Sequence, residues 1–174
     1  QRAFDADRPN KIWLAGITYI ATDEGWLYLV AVIDLFSRQV VGWSMQPHMR
    51  REMVIDALRM AWFRRRPEAG LIFHSDRGSQ YCSGDFQAEL TKYGMRSSMS
   101  RKGNCWDNAP MERLFRSLKS EWIPALGYRN LPEAKKDVGG YLMDYYNRQR
   151  PHTFNGGISP VAAEENLKIL SGIS

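Results

Sequence analysis

Three runs of strand-forming residues, separated by short polar connections, constrain the fold of this chain more than any other feature. The runs are Lys11–Ile20, Trp26–Ile33 and Gln39–Met45, and the second is almost wholly apolar. The connections are Thr22–Gly25, a polar turn, and Asp34–Arg38. Because such short connections join antiparallel neighbours, the pattern predicts a three-stranded meander. The apolar middle run indicates a strand that is buried on both faces.

The apolar spacing then changes to a helical period over Arg51–Arg65. Further elements follow in alternation: strands near 71–76 and 95–99, and helices near 85–93, 107–122, 131–148 and after Pro160. A helix between two strands of one sheet implies a crossover, so the later strands should add in parallel. This order predicts an α/β fold of the ribonuclease H-like type, with a mixed five-stranded sheet and helices on both faces.

Length and composition limit the class of protein. The 174 residues are 44% apolar, enough for one domain with a sizeable core. No run reaches the roughly 18 apolar residues of a membrane span, and no signal peptide is visible. The two cysteines, Cys82 and Cys105, exclude a disulfide-rich scaffold and lack zinc-site spacing. The first residue is Gln1 rather than Met, so we expect a piece of a longer product, in a reducing cytosol.

Positive charge is concentrated in one stretch of the chain. The net charge is +5, from 24 Lys and Arg against 19 Asp and Glu. Residues 92–150 alone hold twelve basic and six acidic residues. This asymmetry has two interpretations: a solvated basic surface, or a surface that faces a polyanion such as nucleic acid.

Two carboxylates stand at positions suited to a shared site. Asp76 follows a short apolar run, Glu112 lies early in a predicted helix, and 35 residues separate them. A carboxylate at a strand end and another in a first helical turn can converge, and carboxylate oxygens are ligands that Mg²⁺ accepts. Ordinary alternatives remain: Asp76 as a turn residue, and Glu112 as a favourable charge at a helix N-terminus.

Short motifs distributed over almost the whole chain point to one family. They are Trp13–Ile20, Gly25–Leu29, Ile33–Trp43, His74–Tyr81, Ser98–Ser100, Asp107–Glu112, Tyr146–His152 and Ser159-Pro160. In this order and with this spacing they resemble the catalytic core of insertion-sequence transposases, in the group named for insertion sequence three. That group belongs to a superfamily that includes retroviral integrases. The resemblance implies a single catalytic core domain over 1–174, with a core of about 8–150 and a C-terminal extension over 151–174.

The metal-binding acidic triad of that family falls on position 16, Asp76 and Glu112, and position 16 is Gly16 here. The resemblance therefore implies a two-ion site for Mg²⁺ or Mn²⁺ that lacks one carboxylate ligand. Asp34 is the nearest possible substitute. If Gly16 faces about Val30, Asp34 lies four residues further along, roughly 13 Å away, which is too far. We therefore expect poor metal binding and, at most, feeble cleavage or joining of DNA.

Basic residues near these carboxylates are candidates for DNA binding. They are Arg113, Arg116 and Lys119 on the helix of Glu112, Arg101 and Lys102 in the polar loop before it, and Arg148, Arg150 and His152 at the end of the long helix. Arg116 and Lys119 are predicted to share the face of Glu112. Salt bridges within the helix, a solvated loop and favourable cations at a helix C-terminus are the structural alternatives.

The resemblance implies a transposase domain that cleaves a phosphodiester at an element end and then uses the 3′-hydroxyl to attack target DNA. Two alternatives stay open: a catalytically silent DNA-binding or subunit-interaction module, and a nuclease on the same fold. The implied partners are double-stranded DNA and further copies of the chain, because joining two ends needs two sites. No membrane partner is expected, and the implied location is the bacterial cytoplasm, at the nucleoid.

Overall fold

The computed structural model describes residues 5–100 and 108–172, which build one mixed five-stranded sheet. The strands are β1 (Ile12–Thr22), β2 (Gly25–Asp34), β3 (Val40–Gln46), β4 (Ile72–Ser75) and β5 (Arg96–Met99). Their spatial order is β3-β2-β1-β4-β5. The first three strands pair in antiparallel fashion, and β4 and β5 add in parallel to β1. The predicted meander and the parallel addition are both confirmed.

In the part of the chain that the structure describes, six α-helices connect and cover the sheet. They are α1 (Arg51–Arg65), α2 (Ser79–Cys82), α3 (Gly84–Lys92), α4 (Ala109–Ser117), α5 (Leu131–Gly140) and α6 (Pro160–Leu170). Helix α4 continues as wider π-helical turns over Leu118–Trp122, and α5 continues in the same way over Tyr141–Gln149. The second change of period follows directly on Gly139 and Gly140. None of the helices in the described ranges is long and apolar enough to cross a membrane.

Side chains that alternate along β1 separate two apolar cores, one on each face of the sheet. Leu14 belongs to the cluster beneath α4 and α5, whereas Trp13 belongs to the cluster beneath α1 and α3. Both side chains are almost completely buried. The two clusters confirm that helices cover both faces, and they place Gly16, two residues after Leu14, on the α4 face.

The register of the first hairpin differs by one residue from the sequence expectation. Thr22 pairs with Gly25 around a two-residue turn, so Gly16 lies opposite Ala31 rather than Val30. Asp34 lies opposite Trp13, three pairs from Gly16, and is fully buried. Its carboxylate accepts hydrogen bonds from the backbone N–H groups of Asn10 and Phe36. Asp34 is therefore a structural acid that does not replace the missing carboxylate.

A buried ion-pair network fastens the C-terminal helix to the sheet. The Arg65 guanidinium lies 3.1 Å from the Asp34 carboxylate and 2.9 Å from that of Glu164 on α6. The Ser37 hydroxyl also donates to Glu164, at 2.5 Å. Burial raises the pKa of Asp34, which the backbone donors and Arg65 oppose. The end of β2, helix α1 and helix α6 thus share one polar cluster.

Two local features fix the position of β3. A Cβ atom on Gly42 would lie 2.5 Å from the carbonyl oxygen of Ala57 and 2.8 Å from the nitrogen of Ala61, so α1 packs directly against bare backbone. On the sheet edge, the side-chain amide of Asn147 donates to the Val40 carbonyl at 2.9 Å and accepts from the Val40 N–H at 2.8 Å. The Asn147 side chain therefore satisfies backbone groups that a sixth strand would otherwise pair with.

Candidate active site

The central strands bring Gly16 and Asp76 to the same level of the sheet. Parallel pairing of β1 with β4 ends at Leu14 opposite His74, and Gly16 and Asp76 each follow two residues later. Adjacent strands are about 4.8 Å apart, so these two positions are neighbours where the strands diverge. Asp76 is exposed, and its Oδ1 accepts a hydrogen bond of 2.7 Å from the Gly78 N–H. This bond orients the carboxylate just beyond the end of β4.

The strand end before Asp76 is held by a buried histidine. His74 is 1% exposed, and its ring nitrogens each lie 2.9 Å from a serine hydroxyl, Nδ1 from Ser98 and Nε2 from Ser100. Ser98 lies in β5 and Ser100 directly follows it, so the ring ties β4 to its neighbour. His74 therefore has a structural role at this strand end.

Helix α4 lies across β1 at position 16. A Cβ atom on Gly16 would lie 3.2 Å from Cε2 of Phe115 and 3.4 Å from Cβ of Met111. Met111, Phe115 and Lys119 are spaced four apart and form one stripe along the helix. The stripe follows β1, because the Lys119 ammonium lies 5.0 Å from the ring centroid of Tyr19. Position 16 therefore faces the first turns of α4.

Glu112 directly follows Met111 in the first turn of α4 and is exposed. Its charge is favourable at this end of the helix, where the backbone N–H groups are unpaired. The metal ligands present, however, are incomplete. Asp76 and Glu112 offer side-chain oxygens, Gly16 offers none, and no group of three or more His, Cys, Asp or Glu capable of holding a metal occurs within the described residues. This donor set does not fit a two-ion site.

Four of the predicted DNA-binding residues line one cleft beside α4. The cleft has a volume of about 570 Å³. Its charged and aromatic walls are formed by Arg38, Arg113, Arg116, Glu121, Tyr146, Arg150, His152 and Phe154. Arg113 and Arg116 belong to a second stripe of α4, next to the one that follows β1. Four arginines against one carboxylate make this cleft a strongly positive concave surface.

Arg38 is the cleft residue that sequence reasoning missed. Its backbone is left-handed, with φ of 69°, and its guanidinium donates to the Leu35 carbonyl. The same guanidinium lies 3.6 Å from the ring centroid of Phe154. Burial, and then the nearby Arg113, lower the pKa of Arg38 to about 10, so it remains charged at neutral pH. Arg38 lies within the motif Ile33–Trp43, and that motif is the sequence feature from which it could have been identified.

The opposite wall of the cleft is fixed by Arg150 and His152. Arg150 donates to both carboxylate oxygens of Glu121, at 2.8 and 2.7 Å, and thereby lowers the pKa of that carboxyl. The buried ring of His152 packs edge-on against Tyr146, with its Nε2 3.3 Å from the Tyr146 carbonyl oxygen. Burial lowers the pKa of His152, and the neighbouring Arg150 and Arg38 act in the same direction.

The other predicted DNA-binding residues lie elsewhere. Lys119 covers Tyr19 on β1 instead of lining the cleft with Arg116. Arg148 is exposed near Arg64, and the two guanidinium groups repel each other. Arg101 and Lys102 lie outside the described residues.

Comparison with known protein families decides the affiliation. The family model described as "Integrase core domain" matches residues 6–105, and a second model with the same description matches residues 93–160. Transposase InsF for insertion sequence IS3A, from Escherichia coli K12, is 48% identical over 160 residues. The chain belongs to the integrase core family, as an IS3-group transposase catalytic core. The sequence prediction of this family is confirmed.

A protein from a second insertion element is similarly close. The alignment with InsF covers 92% of this chain and 56% of InsF. A 31 kDa protein of insertion element IS600 from Shigella sonnei is 45% identical over 164 residues, covering 94% of this chain and 60% of that protein. The integrase core domain therefore spans a little over half of the length of these relatives.

Solved structures establish the fold independently. The HTLV-2 integrase catalytic core domain in complex with magnesium has a TM-score of 0.66 and 18% identity, and the match covers 92% of this chain and 99% of that one. The catalytic core domain of BIV integrase has a TM-score of 0.66 and 15% identity, with 93% and 98% covered. Retroviral integrase cores have the ribonuclease H-like fold, so the predicted fold class is confirmed.

Proposed function

We propose that this integrase core acts in metal-dependent cleavage and joining of DNA strands, and that Gly16 impairs this chemistry in the chain as it stands. The observation that carries the proposal is the position of Gly16. It lies level with Asp76 and faces α4 beside Glu112, where a third carboxylate would complete the set. The family relationship supports the reaction, and the missing oxygen supports the impairment.

The residues that remain have separate parts in this proposal. Asp76, oriented by the Gly78 N–H, and Glu112, at the N-terminus of α4, are the metal ligands. With a carboxylate restored at position 16, these side chains would hold Mg²⁺ or Mn²⁺, which would supply charge stabilisation to the reacting oxygens. The HTLV-2 integrase core was solved with magnesium, which supports this choice. The protein contributes position and charge rather than a covalent intermediate.

Double-stranded DNA, as element end and target, is the proposed substrate. Arg113, Arg116, Arg150 and His152 are proposed to hold phosphates from the cleft. Lys119, Arg148, Arg101 and Lys102 are proposed as further contacts outside it. Phosphate contacts of this kind position DNA and carry little sequence information. Because joining two ends needs two sites, we also propose a homo-oligomer, acting in the bacterial cytoplasm at the nucleoid.

Gly16 also supports a second candidate function. A core that lacks one ligand but keeps its fold and its basic cleft can bind DNA or other subunits without reacting. Such a module and an impaired enzyme differ in one respect: restoring the carboxylate returns activity to an enzyme only.

The test compares strand transfer by the unchanged chain, Gly16→Asp and Gly16→Asn, using labelled element-end DNA with Mg²⁺ or Mn²⁺. Loss of a residue that only supports a metal ligand lowers metal affinity or activity by about 10- to 100-fold. Restoring the ligand itself with Gly16→Asp should therefore raise the joining rate by at least that factor. Gly16→Asn is the matched control because asparagine has the shape of aspartate without its charge. Its joining rate should stay at the level of the unchanged chain.

Equal, robust joining by the unchanged chain and Gly16→Asp would contradict the proposed impairment. Inactivity of both, with DNA binding intact, would favour the silent module.

A further inference from the structure

The basic cleft has a shape and a lining that a duplex backbone does not require. It is a concavity of about 570 Å³ between the β2–β3 connection, α4 and the segment after the long helix. Pockets for whole small molecules span about 300–1,000 Å³, so this one is larger than a single phosphate needs. A DNA duplex is far wider than a cavity of this size and can contact its rim only.

We propose that the cleft holds an unpaired nucleotide of a DNA strand, with its phosphate on Arg38, Arg113 and Arg116 and its base against Phe154. This inference rests on the proposed function only in taking DNA as the ligand. It adds a binding subsite for single-stranded DNA beside α4, apart from the carboxylates.

Three arginines of the cleft are available for an anion. Within residues 5–100 and 108–172, Arg150 is the one cleft arginine that forms an ion pair, with the carboxylate of Glu121. Arg113 and Arg116 are exposed on α4, one helical turn apart. Arg38 approaches from the β2–β3 connection with its guanidinium held by the Leu35 carbonyl and the Phe154 ring. Because its side chain is already ordered, an incoming phosphate costs little further rotamer entropy there.

Phe154 gives the cleft a platform for a base. The residue is 59% exposed, although its ring is supported by Arg38 at 3.6 Å. Its backbone lies in a short 3₁₀ turn, Thr153–Asn155, and the Asn155 amide fastens that turn to the Ser37 carbonyl at 2.8 Å. Positive charge with an exposed aromatic ring is the combination by which proteins hold single-stranded nucleic acid.

The experiment measures binding of two fluorescein-labelled hairpin duplexes to the 174-residue chain in EDTA, by fluorescence anisotropy. One hairpin ends blunt and the other carries a short oligothymidylate tail. Stacking of one base on an aromatic side chain corresponds to a gain of about five-fold or more, so the tailed hairpin should bind at least that much more tightly. Phe154→Ala should abolish this advantage and leave the blunt hairpin unchanged, while Phe154→Tyr should keep it.

Phe63 offers a matched control, since it is 57% exposed and also lies beneath an arginine, Arg66, at 4.7 Å. Phe63→Ala should therefore retain the preference for the tail. Arg113→Gln, an exposed change, should reduce the salt dependence of tail binding by about 0.7 in the slope of log K against log salt. Arg129→Gln, whose side chain is 85% exposed outside the cleft, should not.

Two results would overturn the proposal: no advantage from the tail, or an equal loss for both hairpins in Phe154→Ala, which would assign the cleft to duplex backbone. The assay contains no divalent metal. Failure of Gly16→Asp to join DNA, with the tail preference intact, would therefore count against the proposed reaction and not against this subsite.

Discussion

Gly16 and Phe115 meet between β1 and α4, where a Cβ atom on the glycine would lie 3.2 Å from the phenylalanine ring. This contact is tighter than ordinary packing, so the ring occupies part of the space that a side chain at position 16 needs. Phe115 is only partly buried and can give way by a few tenths of an ångström. A carboxylate side chain at position 16 would therefore require the Phe115 ring to move.

Gly16→Asp should lower the free energy of unfolding by about 1–3 kcal/mol in EDTA, because the Phe115 ring must move to admit the new side chain. Added Mg²⁺ should restore stability to this variant, since a ligand that binds only the folded state stabilises it. Urea unfolding with and without Mg²⁺ measures both effects. A Mg²⁺ response of the same size in the unchanged chain would show that Gly16 does not weaken the metal site.

Arg65→Met should destabilise the protein by about 3–5 kcal/mol, because it leaves the buried carboxylates of Asp34 and Glu164 without their cation. Chemical denaturation provides the measurement. Lys168→Met is a suitable control, as the exposed pair of Lys168 with Glu165 at 3.7 Å should contribute almost nothing. Similar losses for both variants would show that burial of the network has no special weight.

Gly42→Ala should cost about 1–3 kcal/mol or more, because its methyl group would lie 2.5 Å from the Ala57 carbonyl oxygen and force α1 away from β3. Thermal unfolding monitored by circular dichroism tests this. Gly84→Ala is the comparison, since a Cβ atom there meets nothing within 4 Å. An unchanged melting temperature for Gly42→Ala would mean that the helix adjusts without loss.

His152 should make the protein sensitive to mild acid. Its folded pKa is lowered by burial and by Arg150 and Arg38, while Glu121 and the Tyr146 carbonyl act in the other direction. The stability that this depressed pKa provides is fully present above the unfolded value of about 6.5, and it is lost as the pH falls through the folded pKa. Acidification from neutral pH should thus destabilise the unchanged chain more than His152→Gln.

Urea unfolding at a series of pH values, in buffers without phosphate, compares the two proteins. Parallel curves would show that His152 is not the group responsible. Phosphate is excluded because an anion in the cleft would favour the protonated ring and mask the effect.

The elements that the sequence predicted well are those with strong local signals. Helix α1 begins and ends at the predicted residues, since its apolar period is clear and Pro67 follows closely. The polar turn over Thr22–Gly25 was also anticipated, although the register was one residue off. Local patterns likewise placed Asp76 at the end of a strand and Glu112 in the first turn of a helix, where the structure has them.

What the sequence did not predict depends on contacts between distant segments. Arg38 and Phe154 are separated by more than a hundred residues, and only the folded chain brings them to one cleft wall. The π-helical turns after Ser117 were likewise invisible, because a change of period within a helix leaves no simple pattern of residue types. Lys119 was predicted to share a helix face with Arg116, but it covers Tyr19 on β1. Helical spacing alone does not show which stripe of a helix meets the sheet.

The brief pairing of β1 with β4, only three residue pairs long, ends before the level of Gly16. Position 16 is therefore held in the sheet by β2, opposite Ala31, and not by β4. Under the proposed function, a single base change in the codon for residue 16 can remove a metal ligand while the fold is kept, with a change in stability of only about 1–3 kcal/mol. Under the same proposal, inactive copies of this kind would persist as well-formed competitors for DNA ends, and assays of strand joining or of stabilisation by Mg²⁺ would tell them apart.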